Sequence, residues 1–491
     1  MACSGRSATL NPVSVLNQAS APSLSSHVAA VPRPSACPGL LRIVAARDGG
    51  ICRIRLPGGE LTSAQAAAIA HASGEHASGV IELTNRGNLQ IRGVWDGHES
   101  TLTAALIDAG LGPDGATVSP AADDVRNVMI SPLAGRDPFA LIDTRPLCAA
   151  LLALLQSEAR FAALSPKFAM LVDGGERLAR LDHPHDVWLA AFAFSPVASS
   201  RVESSPDNGG VRFVIGLAGS PSDADALIAV APSHAAAVVR ALLHAFLDLA
   251  EADTDNNTTR MRHLLATHSV DTILQRAQHY VDFPLTRDAS LQSWQRTTAA
   301  DASLRFGAHV QRENGLWHAG AQPPLGRLDA AALKRLAVLA KECGNGTLHV
   351  TPWQSVLLPD LAEHEAPAVM RELHAIGLAC DPAQPLARLI ACAGSIGCAK
   401  SAADTKADAQ RLAQRLPAGV EAHLSGCAHS CAAAHCAPYT LLAVAPGLYD
   451  LYQRDDGEAA EAGFGRCITH HLPIEQAASL LDRLPRSAPD A

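Results

Sequence analysis

The sequence predicts an α+β chain that carries one plan twice, a small half-domain followed by a larger mixed domain. Three observations predict it. Leu61–Val94 and Leu328–Leu361 align without a gap at an offset of 267 residues. Both segments run through helix, glycine, strand, threonine turn and strand in the same order. A longer stretch with strand and helix patterns of its own follows each copy. The expected boundaries are a disordered tail at 1–35, half-domains at 36–105 and 305–380, and mixed α/β domains at 120–300 and 385–486.

The first 35 residues are rich in Ser, Ala and Pro and lack the charged start and apolar core of a secretory signal. In the aligned copies Leu61 matches Leu328, Glu75 matches Glu342, Gly79 matches Gly346 and Thr84 matches Thr351. Thr62 and Asp329 are expected helix caps. The strands "VIEL" and "LQIRG" answer to "TLHV" and "SVLLPD". This is half of a ferredoxin-like α+β unit. The turn is "TNRGN" in the first copy and "TPWQS" in the second, so Arg86 stands where Trp353 stands. Divergence of that kind suits a duplicated scaffold with one surviving site. It makes Arg86 either a ligand or a solvated turn arginine.

The first mixed domain offers a helical "PLCAALLALLQSE", strands "FAMLV", "VWLAAFAF" and "RFVIGLAG", and a long helix "SHAAAVVRALLHAFLDLAEA". The loop "SSRVESSPDNGG" reads as exposed and mobile. The second mixed domain offers "RLIACAG", a helix "TKADAQRLAQRL", a strand "VEAHL", a hairpin "YTLLAVAPGLYDLY" and a closing helix "IEQAASLLDRL". Net charge is −9 with no long Lys/Arg run, which argues against a nucleic-acid partner. No stretch approaches 18 uninterrupted apolar residues, so no membrane span is expected. A cytoplasmic, reducing location is expected.

Twelve cysteines in 491 residues do not make a disulfide scaffold. Cys3, Cys37, Cys52, Cys148, Cys343 and Cys380 are scattered and read as small buried hydrophobes. The others crowd the last fifth. Five residues separate Cys392 from Cys398 in "CAGSIGC", and three separate Cys427 from Cys431 in "SGCAHSC". Four thiolates suit zinc or an iron–sulfur cluster. Five intervening residues is long for structural zinc. Small neighbours let backbone N–H groups approach cluster sulfurs. A 4Fe–4S cluster is therefore favoured over zinc, with Cys436 and Cys467 dispensable.

The pattern Cys-x5-Cys followed by Ser-Gly-Cys-x3-Cys resembles the nitrite and sulfite reductase family. The resemblance covers nearly the whole chain after residue 36 and implies a tandem duplicated fold. It also implies a 4Fe–4S cluster on the four cysteines, with Cys431 bridging to the iron of a sirohaem. "LTNRGN" is similar to the family's Thr-x-Arg turn and supplies Arg86. "DVRNVMISP" is similar to its Arg-Asn-Val segment and supplies Arg126 and Asn127, and "LSPKFAM" supplies Lys167. The resemblance gives these cations and Asn127 catalytic and substrate-binding roles, against an anionic substrate and macrocycle carboxylates.

One departure stands out. The reductases keep a second lysine two residues after the first, where this chain has Ala169. The "ACPGLLRI" opening and "TNRGNLQIRG" look like a sub-branch of the family, the precorrin-3B synthases of cobalamin biosynthesis. That resemblance implies a monooxygenase acting on precorrin-3A with O₂ and NAD(P)H-derived electrons, and a mononuclear non-haem iron. Possible iron ligands are His423, His429, His435 and the stretch Asp182–Asp186, "DHPHD". No G-x-G-x-x-G nicotinamide motif is present, so a separate electron-donating reductase is expected. The alternatives are a sulfite or nitrite reductase holding sirohaem, and a non-enzymatic electron carrier or zinc-stabilised binding protein.

Overall fold

The computed structural model describes residues 37–113, 118–193, 210–252, 258–433, 437–454 and 463–484. The expected tail, the loop "SSRVESSPDNGG" up to residue 209, and His435, Cys436 and Cys3 lie outside them.

The first half-domain contains β1 (Val44–Ala46), β2 (Gly49–Ile54), β3 (Glu60–Thr62), a helix Ser63–His76, β4 (Val80–Leu83), β5 (Leu89–Val94) and a helix Glu99–Asp108. The mixed domain after it contains β6 (Val128–Ile130), a helix Arg145–Ser157, β7 (Met170–Asp173), β8 (Val187–Ala193), β9 (Val211–Leu217), β10 (Ile228–Val230) and a helix Ala235–Ala252. The second half-domain contains β11 (Gly307–Val310), β12 (Leu316–Ala321), β13 (Arg327–Asp329), a helix Ala330–Cys343, β14 (Thr347–Val350), β15 (Val356–Ala362) and a helix Ala366–Ala375. The second mixed domain contains β16 (Leu389–Ala391), a helix Thr405–Ala413, β17 (Ala422–Ser425), β18 (Tyr439–Ala445), β19 (Leu448–Gln453), β20 (Arg466–Pro473) and a helix Ile474–Leu481.

The expected caps start the paired helices. Thr62 and Gln65 form a reciprocal capping box, and the Asp329 carboxylate accepts from the Ala332 N–H at 2.7 Å. The two half-domains exchange strands. One sheet runs β1-β2-β5-β4-β13 and the other β11-β12-β15-β14-β3. Leu328 of β13 lies opposite Ile81, and Leu61 of β3 lies opposite Leu348. Leu61 and Leu328, matched in the sequence repeat, are both buried. Each short strand covers an edge that would otherwise be unpaired. Helices Ser63–His76 and Ala330–Cys343 pack together, so one hydrophobic core spans both copies.

The repeat extends into the mixed domains, where no sequence match signalled it. In β6-β7-β8 and in β16-β17-β18 the strands run parallel, and two antiparallel strands complete each sheet. Of the scattered cysteines, Cys52 and Cys148 are buried as expected. Cys37, Cys343 and Cys380 are only partly so; Cys343 ends its helix, and Cys37 and Cys380 lie outside helices and strands. Among the described residues no helix is long and apolar enough to cross a membrane.

Candidate functional site

β16 and β17 are parallel neighbours, with Ala391 opposite Leu424. Their C-terminal ends therefore release two cysteine loops side by side, as α/β sheets place their sites. Cys392 and Cys398 flank the short helix Gly394–Gly397. Cys427 and Cys431 lie in the turn after β17. The Gly426 N–H points at Cys392 Sγ at 3.2 Å, and the Thr405 hydroxyl lies 3.4 Å from the same sulfur. Glycine is required twice here. Gly394 has φ +71°, and a Cβ on it would stand 2.9 Å from the Thr405 nitrogen; a Cβ on Gly426 would overlap the Ser401 hydroxyl.

All four thiols are free. Burial pushes the Cys431 thiol up, and Cys427, Cys392 and Cys398 push it further, so the four converge. Yet among the described residues no group of three or more His, Cys, Asp or Glu closes on a single metal ion. Four free thiols within electrostatic reach of one another, with a sulfur-directed N–H, fit a four-iron cluster better than one zinc. Cys467 lies on β20, at the far edge of that sheet, beside His470 and Asp450.

A second arrangement lies beside this one. A cavity of about 280 Å³ is lined by Arg86, Arg126, Asn127, Ala169 and His185. An adjoining cavity of about 210 Å³ shares Arg86, which stands between the two. The turn that presents Arg86 is held by Thr84, whose hydroxyl accepts from the Arg86 and Asn88 N–H groups at 3.3 and 3.1 Å. Gly87 permits it at φ +67°, with a Cβ only 3.0 Å from the Val350 carbonyl.

Among the described residues the Arg86 side chain has no hydrogen-bond or ion-pair partner. Burial pushes its pKa down to about 10; Arg260 adds to this, Asp186 opposes it, and Arg53 and Arg55 add more. Other buried arginines are paired: Arg55 with Asp123 and Asp124, Arg260 with Asp186, Arg296 with Asp173. An unpaired buried guanidinium facing a cavity is an anion site in waiting. Arg53 links the two arrangements, lying within electrostatic reach of both Arg86 and Cys431.

Comparison with known proteins agrees. The profile for the nitrite/sulfite reductase ferredoxin-like half domain matches residues 45–109 and 309–376. The profile for the nitrite and sulphite reductase 4Fe-4S domain matches residues 121–285. The ferredoxin–nitrite reductase of Zea mays chloroplasts is 30% identical over 403 residues, covering 77% of this chain and 67% of its own length. This chain belongs to the nitrite and sulfite reductase family. A precorrin-3B synthase from Sinorhizobium sp. is 28% identical over 463 residues, covering 94% of this chain and 90% of its own. The Mycobacterium tuberculosis NirA protein shares the fold, with TM-score 0.68 at 20% identity over 88% of this chain and 80% of its own. The family is one of oxidoreductases that carry a 4Fe–4S domain. The matched 4Fe–4S profile covers the first mixed domain, whereas the four cysteines lie in the second, which repeats its topology.

Within this family member, the expected pocket cations divide. Arg86 and Arg126 share the cavity, but Lys167 is exposed and is not among its lining residues. The correction has a physical cause. Phe168 is anchored in the core against Phe246, so Lys167 projects outward before β7 begins and Ala169 lines the cavity. Asn127 lines the cavity, but its amide donates to the carbonyls of Asp124, Pro166 and Phe168. It therefore positions this segment. On the opposite copy, the same threonine turn holds Trp353, which packs against Leu133, Leu178, Leu304 and Leu357 under the Arg180 and Arg305 guanidiniums. That position is filled by side chain.

The iron-ligand candidates do not form one set. His423 is buried in β17, and burial pushes its pKa to about 4. His429 is exposed, 3.7 Å from Cys427 Sγ. Asp182 pairs with Arg180, and His183 Nδ1 lies 3.2 Å from the Pro184 carbonyl. The Asp186 carboxylate is taken by Arg260 and by the N–H groups of Ala169 and Met261. Sequence reasoning did not anticipate Arg53, the cavity-lining role of His185, or Lys406. The buried Lys406 ammonium donates to the Ala391 carbonyl at 3.1 Å, one residue before Cys392, and lies 3.8 Å from Glu82. Burial pushes its pKa down to about 8.

Proposed function

We propose that this chain is a precorrin-3B synthase, acting in the cytoplasm on precorrin-3A in cobalamin biosynthesis. The observation that carries the proposal is the cavity wall, where a partnerless Arg86 and an Arg126 that lies 3.6 Å from the Asp123 carboxylate share the lining with uncharged Ala169 and His185. A small oxyanion draws most of its binding from closely packed cations and is poorly served by this wall. A large polycarboxylate macrocycle spreads its binding over many contacts and needs only some of its arms paired. The near end-to-end correspondence with the Sinorhizobium protein, against the shorter match to the maize protein, supports the same reading.

In the proposed reaction one atom of O₂ enters the ring as a hydroxyl, with lactone formation. The other leaves as water, taking two electrons that originate in NAD(P)H and arrive through a separate reductase. A bound 4Fe–4S cluster supplies one-electron relay. Arg86 and Arg126 hold carboxylate arms, and Asn127 fixes the backbone behind Ala169. A mononuclear iron, implied by the resemblance, finds no ready donor set among the described residues. The roles proposed for these side chains do not depend on it.

The second reading is a nitrite or sulfite reductase with sirohaem. It is favoured by the identity to nitrite reductases from maize and from Synechococcus elongatus, the latter 29% over 433 residues. The absorption spectrum separates the two. Anaerobically purified protein is expected to show the broad shoulder of an iron–sulfur cluster without strong sirohaem bands, and negligible nitrite reduction with a viologen donor. Strong visible bands with robust six-electron reduction would instead establish the second reading.

A further inference from the structure

The cavity contains one polar atom that the proposed carboxylate pairing leaves unused. His185 lines it, is 3% exposed, and its Nδ1 has no hydrogen-bond partner among the described residues. Its backbone is fixed on both sides. The His185 N–H donates to the Gly219 carbonyl at 2.7 Å, and the next N–H, of Asp186, donates to the Ala169 carbonyl at 2.8 Å. The ring also packs 5.0 Å from His183. The imidazole is therefore held in place beside Ala169.

Its surroundings decide its chemistry. Burial pushes the His185 pKa to about 3, with Arg86 and Arg260 acting in the same direction and the His183 backbone and Asp182 acting against it. A neutral imidazole has one donor and one acceptor nitrogen; the hydrogen bond toward the His183 backbone engages the ring's donor, which leaves the unpartnered Nδ1 as the acceptor. A buried acceptor without a donor is costly. Carboxylate arms are acceptors themselves and cannot satisfy it; the arginines serve those. What remains is a ligand that brings an N–H or O–H of its own.

We infer that His185 accepts a hydrogen bond from an N–H or O–H group of a metal-free macrocycle bound in this cavity. The inference rests on the tetrapyrrole reading above. A metal-free ring of this class carries pyrrolic N–H donors, and an iron-loaded ring has exchanged those protons for the metal. His185 would then select the unmetallated ring, which is a substrate property, over the metallated one, which is a cofactor property.

The test compares two ligands that share carboxylate arms and differ at the ring centre, sirohydrochlorin and sirohaem. Each is titrated anaerobically into the cluster-loaded protein and followed by absorbance. His185→Leu is expected to weaken sirohydrochlorin binding at least tenfold and to change sirohaem binding less than twofold. His185→Gln, which keeps an acceptor, is expected to restore much of the loss. Equal weakening for both rings in both variants would assign His185 a packing role and overturn the inference. So would no change for either ring, or a larger loss for sirohaem, which would make the imidazole an iron ligand. Nitrite reduction by the wild-type protein would count against the proposed function alone, because this comparison measures ligands and not turnover.

Discussion

Cys398→Ala protein is expected to purify with its cluster iron and acid-labile sulfide reduced to background, and with electron-dependent turnover abolished. Cys467→Ser protein is expected to match wild type in both. The contrast follows from the sheet. Cys398 belongs to the loops released together by β16 and β17, whereas Cys467 stands on β20, the opposite edge. A four-iron cluster deprived of one thiolate loses a ligand that Cys467, three strands away from β17, is not placed to replace. Full iron and sulfide content in Cys398→Ala would remove this assignment.

Arg86→Ala should produce opposite effects on ligand binding and on stability. A charge-assisted hydrogen bond to a carboxylate contributes about 1.5–3 kcal/mol, so macrocycle affinity should fall by roughly 10- to 150-fold. The ligand-free protein should become more resistant to denaturant, because a buried cation without a carboxylate partner is costly to the fold. Titration with a tetrapyrrole and urea unfolding of the ligand-free protein measure the two effects. An unchanged affinity would mean that Arg86 does not meet the ligand. Arg260→Ala should behave differently: removing it strands the buried Asp186 carboxylate, so stability falls by about 3–5 kcal/mol.

Much of this was legible in the sequence, for identifiable reasons. Leu61 and Leu328 matched because each begins an exchanged strand and must be buried in the same way, so the repeat was read correctly at its core. Thr84 and Thr351 matched because each hydroxyl accepts the same turn N–H groups. Arg86 was legible as the position where one copy kept a polar group and the other filled the space. The cysteine spacing was legible because parallel strands fix where their loops emerge.

The remainder was hidden by distance or by alternation. The strand exchange depends on pairs 247 and 287 residues apart, Leu328 with Ile81 and Leu348 with Leu61, and no local pattern encodes such pairing. The mixed domains share a topology that divergent loops and apolar substitution have erased from the sequence. Lys167 was misplaced because side chains two residues apart share a face only within a regular strand, and β7 begins at Met170. Lys406 and Arg53 act across gaps between segments, as a buried ammonium near Glu82 and a guanidinium between cavity and cysteines. His185 was legible as a possible ligand, but its unpartnered Nδ1 is a fact of three-dimensional packing.

On the proposed reading, the macrocycle in this pocket is a substrate that gains oxygen. Incubation of the cluster-loaded protein with precorrin-3A, a reducing partner with NAD(P)H, and ¹⁸O₂ tests it most directly, with the product read by mass spectrometry. The expected product carries one labelled oxygen atom in the ring hydroxyl and forms only when O₂ and electrons are both supplied. Turnover in which the label never enters the product would contradict it.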